Sequence, residues 1–151
     1  MNADLQSLVA ANDAEVDHTS PAAIVRRQAV LALRAQGLLR GPGEQFAAAT
    51  VLIYSEDLAE VEAAQALALA AMGKDKSARR LAATAYDRLR RLRGEPQKFG
   101  TQLVVRGDVL ELWPIDPATT DSERAKWDVP PLAEIQRRLA EVANGPPGPR
   151  A

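Results

Sequence analysis

Glycine and proline cut this sequence into pieces of helix length, and that punctuation constrains its fold more than any other feature. Ser20-Pro21, Gly41-Pro42-Gly43, Gly73, Gly94 with Pro96, Pro114 and Pro130-Pro131 mark the cuts. Proline suits the first turn of a helix and glycine the residue past its end, so most marks read as starts or stops. Between them the apolar residues recur at helical spacing. Leu5, Leu8, Val9 and Val16 predict a first amphipathic helix within Asn2–Asp17. Ser20 as cap and Pro21 behind it predict a second helix to Leu39, with Ile24, Leu31, Ala35 and Leu38 inward. Gly41-Pro42-Gly43 reads as a stop. Glu44–Tyr54 is apolar almost all round and predicts a central third helix. Asp57 and Glu60 form a capping-box-like pair for a fourth, with Leu58, Val61, Ala68, Leu69 and Met72 inward and Gly73 at its end. A fifth should run from Asp75 as cap to Arg93, closed by Gly94 and Pro96.

The period then changes from that of a helix to that of a strand. Leu103 and Val105 alternate with their neighbours, Gly107-Asp108 gives a tight turn, and Leu110 and Leu112 alternate on the return, which predicts one β-hairpin. A proline-rich connector, Pro114–Thr119, leads to the capping box Thr120-Asp121-Ser122-Glu123 and a short helical turn holding Arg124. A last helix, Leu132–Val142, presents Leu132, Ile135, Leu139 and Val142 on one side. The fold class is therefore mainly α, a compact bundle of about five to six helices with one β-hairpin, α+β by strict count. A single helical domain over 1–145, with the hairpin near 100–114 and a disordered tail over 146–151, is the expected organisation.

Composition narrows the chemistry. There is no cysteine, and His18 is the only histidine, so disulfides, thiolate sites, a cysteine nucleophile and a multi-imidazole zinc site are excluded within one chain. Neither a metal nor any other cofactor is expected. The 19 basic residues are balanced by 20 acidic ones, and Glu44–Tyr54 holds neither Lys nor Arg, which argues against a nucleic-acid partner. No basic start precedes an apolar run and no apolar stretch is long enough to span a bilayer, so a cytoplasmic protein without a membrane partner is expected.

Two polar features fall where apolar residues would be expected. With about 100° per residue and Leu81 at zero, Leu92 falls near 20° and Arg88 near −20°, so Arg88 projects from the apolar face of the fifth helix. Such an arginine either snorkels to water or pairs with an acid, and Asp87, Asp116 and Asp121 are the acids considered. A structural clamp, holding the hairpin and the connector after it onto the helix by bidentate bonds to carboxylates or carbonyls, is preferred to an anion site. The second feature is the segment Gly94–Gln102, where Gln97, Thr101 and Gln102 crowd donors and acceptors between two glycines. Phe99 and Trp113, two of only six aromatics, bracket it.

Asp87-Arg88, followed by Gly94-Glu95-Pro96-Gln97-Lys98-Phe99-Gly100-Thr101-Gln102, resembles the recurring pattern of an uncharacterised bacterial family known only as a domain of unknown function. Pro114-Ile115-Asp116-Pro117, the Thr120-Asp121-x-x-Arg124 set and Val129-Pro130-Pro131-Leu132-Ala133-Glu134 are also similar to it, over a run from Ala47 to Ala133. The family brings no assigned activity. Its members often carry a Gln-His pair and then an acid at the end of the third helix, where this chain has Tyr54-Ser55-Glu56, so Glu56 or Tyr54 would have to stand in for that imidazole.

Two functions follow as expectations. The first is a binding or accessory module for a small polar or anionic ligand or a peptide, with Arg88, Gln97, Phe99, Thr101, Gln102, Asp116 and Arg124 as ligand-binding candidates around the Gln97–Gln102 loop. The alternative is a small cofactor-independent enzyme with Asp87 or Glu56 as acid or base and arginine holding an anion.

Overall fold

The computed structural model describes residues 1–144. Among them are seven α-helices, one 3₁₀ turn and one hairpin: α1 (Ala3–Ala14), α2 (Pro21–Ala35), α3 (Pro42–Leu52), α4 (Leu58–Met72), the 3₁₀ turn Lys76–Ala78, α5 (Arg79–Leu92), β1 (Leu103–Arg106), β2 (Val109–Leu112), α6 (Asp121–Lys126) and α7 (Leu132–Ala143). The mainly helical fold with a single hairpin is thus present. The tail expected to be disordered lies outside the described residues.

Most caps are the ones the sequence offers. The Ser20 hydroxyl accepts from Ala23 N, Asp57 from Glu60 N and Thr120 from Glu123 N. Gly41-Pro42-Gly43 works in the opposite sense from the expectation. It starts α3, with Pro42 at the first position and the Glu44 carboxylate accepting from Arg40 N and Gly41 N. Asp75 caps the 3₁₀ turn through Ser77 N, and α5 begins only at Arg79.

Alanine-rich α3 and α4 pack closely, with α5 against α4 and with α1 and α2 on the other side of α3. Leu52, Val51, Val61, Ala64, Ala68 and Leu89 are at the centre of this core. Small side chains permit the close approach, so burial is spread over many residues of modest area. Three inward assignments need correction. Val16 lies beyond the end of α1 and is 95% exposed. On α2 the buried face is Ala23, Arg26, Arg27, Val30 and Leu33, with Ile24 exposed. Leu58 and Leu69 of α4 are exposed, and Glu60, Ala63, Ala64 and Leu67 take the inward positions. One cause applies to α2 and α4. Arg27 and Glu60 pair between the two helices, Nε to Oε2 at 2.9 Å, so charged residues that pattern reading turns outward are buried together.

A smaller cluster joins the C-terminal third to α5. Ala83, Phe99 and Val129 are buried, with Tyr86, Trp127 and Ile135 packed around them. The hairpin pairs Leu103 with Leu112 and Val105 with Leu110, and Gly107 turns it with φ +63°. α7 lies against β2, yet none of its residues is fully buried.

Candidate functional site

The residues singled out from the sequence fall into two groups on different sides of α5. The first is organised by Asp87, whose side chain is completely buried. Its Oδ1 accepts from Lys98 N at 2.8 Å and Phe99 N at 2.9 Å. Its Oδ2 accepts from Gly100 N at 3.1 Å, Thr101 N at 3.0 Å and the Thr101 hydroxyl at 2.8 Å. Four successive backbone N–H groups converge on one carboxylate, which forces a sharp curl in the chain. Gly100 makes that curl with φ +109°, and a Cβ there would stand 3.1 Å from Ile135 Cδ1 and 3.3 Å from Ile115 Cδ1.

Gln97 closes the other side of the loop. Its Nε2 donates to Gln102 O and Trp113 O, and its Oε1 accepts from Gln102 N. Its backbone bonds to Pro114 O and to Asp116 N, a short parallel bridge that ties the loop to the connector after the hairpin. Gln102 Nε2 donates to the Thr101 hydroxyl. Arg124, 2% exposed, donates from Nε to Phe99 O at 2.8 Å and from one terminal nitrogen to Thr119 O and Asp121. Asp121 also accepts from Leu132 N at the start of α7. Backbone bonding by Leu132, then the Arg124 guanidinium, holds the Asp121 carboxyl below its ordinary pKa. Phe99 packs between Tyr86 and Trp127, and Trp113 Nε1 donates to Glu95 O. Asp116 turns away and accepts from Ala118 N. Asp87, Gln97, Phe99, Thr101, Gln102 and Arg124 therefore form one network whose polar atoms are largely spent on holding the loop.

Arg88 is absent from that network. One residue along the helix from Asp87, it points about 100° away, and it donates from Nε and a terminal nitrogen to Ser55 O at 3.0 and 2.7 Å. The same terminal nitrogen reaches Glu56 Oε1 at 3.1 Å. It grips the α3–α4 connector, not the hairpin and the Pro114–Thr119 connector of the sequence expectation, and it bonds none of Asp87, Asp116 and Asp121. Burial pulls the Arg88 pKa down from its ordinary value, and the Glu56 carboxylate opposes that shift.

Around the same connector lies a polar cleft of about 370 Å³. His18 and Thr19 reach it from the α1–α2 connection, Arg27 and Gln28 from α2, Tyr54–Asp57 from the connector and Glu60 from α4. Glu60 accepts from Arg27 Nε and from Gln28 Nε2, so its carboxylate is satisfied, and Arg27 also donates to His18 O at 2.7 Å. The His18 ring stacks face to face on Tyr54, centroids 3.7 Å apart and planes 11° from parallel. Its Nδ1 is enclosed without a hydrogen-bond partner. The Glu56 side chain stays well exposed. Of this constellation the sequence pointed to Glu56 and Tyr54 only, through the family pattern at the end of the third helix. His18, Arg27, Gln28 and Glu60 were missed, because His18 lies in a turn and the others on helices that first meet in the fold.

The model of a family of unknown function, DUF6624, matches residues 39–146. No curated protein and no solved structure matches the chain. No helix among the described residues is long and apolar enough to cross a membrane.

Proposed function

We propose, for a chain that belongs to the DUF6624 family of unknown function, that it is a cytoplasmic bacterial binding module for a small polar molecule, held in the cleft between His18, Tyr54, Glu56 and Glu60. The Gln97–Gln102 loop does not line this cleft, and its polar atoms are bonded to one another and to Asp87. One observation carries the reading: the chain's single imidazole is held flat on Tyr54 in the wall of that cleft, with Nδ1 sealed off. Sealing one ring nitrogen leaves Nε2 to meet a ligand, and stacking fixes the ring before the ligand arrives. Glu56, Asp57 and Glu60 stand against Arg27 and the Arg88 that pairs with Glu56, an excess of one acid, which favours a ligand rich in donors, an amine or a polyol, over an anion.

Thermal shifts test this with a panel of amines, polyols, amino acids and nucleosides. A ligand at a hundred times its Kd adds about 2.7 kcal/mol, or roughly 5–10 °C in a chain of this size. The shift is expected in the wild type and lost in His18→Ala and Glu56→Gln, with circular dichroism verifying that each variant keeps its fold. A ligand that stabilises both variants as much as the wild type overturns the reading. The enzyme alternative is favoured by one feature only: two proton carriers, Glu56 and His18, line the same cleft. It predicts turnover of the identified ligand, abolished by Glu56→Gln with binding retained.

A further inference from the structure

A second concavity, sharing no residue with the polar cleft, lies between the hairpin and α7, with Gly100 and Thr101 also in its lining. It is a groove of about 200 Å³, and Leu110, Ile135, Leu139 and Val142 make its walls apolar. Arg80 and Arg138 border it. Their states differ. Arg138 is bonded to Glu134 at 2.7 Å, whereas Arg80 is exposed and, among the described residues, has no acidic partner. Lys76 lies one turn earlier, also without an ion pair among the described residues, and the one acid between Lys74 and Arg80, Asp75, is occupied with Ser77 N. An apolar slot with an uncompensated cation at its mouth matches a ligand with an apolar tail and an anionic head. Neither an amine nor a polyol fits it, so the groove is distinct in chemistry from the polar cleft.

We propose that this groove binds a medium-chain fatty carboxylate, its tail against Leu110, Leu139 and Val142 and its carboxylate on Arg80. The volume sets the length. A cavity of about 150 Å³ accepts a benzene ring, so this one has room for roughly six to eight carbons. Burial of each methylene then raises affinity about fourfold until the slot is full. The carboxylate contributes through a charge-assisted bond, about tenfold or more in affinity.

Calorimetric titration and amide NMR shifts of the full chain with the series butanoate to decanoate, each below its micellar concentration, test the proposal. Affinity should climb about fourfold per methylene and level off near eight carbons. Shifts should centre on α7 and β2. Octanol in place of octanoate, and Arg80→Gln in place of wild type, should each weaken binding about tenfold. Leu139→Gln should flatten the dependence on chain length. Arg80 is exposed, so Arg80→Gln retains the fold and circular dichroism verifies it. Equal affinity for octanol and octanoate, an unaltered Arg80→Gln, shifts centred on His18 and Tyr54, or no binding at all would each overturn the proposal. So would a dimer in sedimentation equilibrium whose α7 resonances octanoate leaves unmoved, which would give the groove to a second copy of the chain.

Discussion

The Asp87 carboxylate accepts four successive backbone N–H groups and the Thr101 hydroxyl. Convergent backbone N–H groups ordinarily make a site for an external anion; here the anion is the chain's own, delivered by the helix that precedes the loop. Asp87→Asn would aim an amide N–H at the N–H groups of Gly100 and Thr101 or of Lys98 and Phe99. The expected cost is about 3 kcal/mol, a fall in melting temperature of roughly 6–12 °C. Thermal unfolding followed by circular dichroism measures it, and a fall below 2 °C or so, the shift from about 0.5 kcal/mol, would remove Asp87 from this role. Angular arithmetic on α5 placed Arg88 on the inward side, and it is half-buried. The same arithmetic gave no reason to bury Asp87, because its partners return from 11 to 14 residues downstream and exist only once the loop has closed.

At the level of elements, the helices were legible from their caps and breaks, and their faces less so. Caps are local chemistry, a side chain and an N–H two or three residues on. A face depends on what arrives from elsewhere, and on α2 the arrivals are acids. Glu60 on α4 takes Arg27, while Glu15 lies 3.5 Å from Arg26. The α6–α7 junction offers a test by pH. Asp121 bonds Leu132 N and Arg124, and its pKa is lowered. The unfolded chain therefore takes up the proton first, so the stabilisation is complete above about pH 4 and is lost as pH falls through the folded pKa. Amide exchange rates at the start of α7, corrected for intrinsic pH dependence, should rise as the solution is acidified below that value. In Asp121→Asn the rise should disappear, and a rise of equal size in the variant would refute the assignment.

Across the whole molecule, burial is uneven. α4 has seven buried residues and α3 five, whereas α7 has none and the hairpin leaves Val105 and Val109 exposed. Native-state hydrogen exchange should therefore find the slowest amides in α3 and α4, with α7 and the hairpin opening at lower free energy as a separate unit. Uniform protection across all seven helices would contradict this. The polar cleft belongs to the better-protected part, and its assembly could not be read from order along the chain. His18 and Tyr54 are separated by all of α2 and α3, and nothing in either neighbourhood announces the other. The apolar groove belongs to the looser part, where a ligand can enter without disturbing the main core.

Asp87 and Arg88 stand side by side on α5 and are committed to different sides of it, the one to the curled loop, the other to the α3–α4 connector. Since each residue added to a helix turns everything after it by about 100°, this pair sets the phase of α5. A single insertion between the 3₁₀ turn and Asp87 would carry both grips off their targets at once, although every residue remained present. Length is thus specified in α5 as strictly as identity, while the Gly107-Asp108 turn, which holds no such divergent pair, is where the chain has freedom to grow.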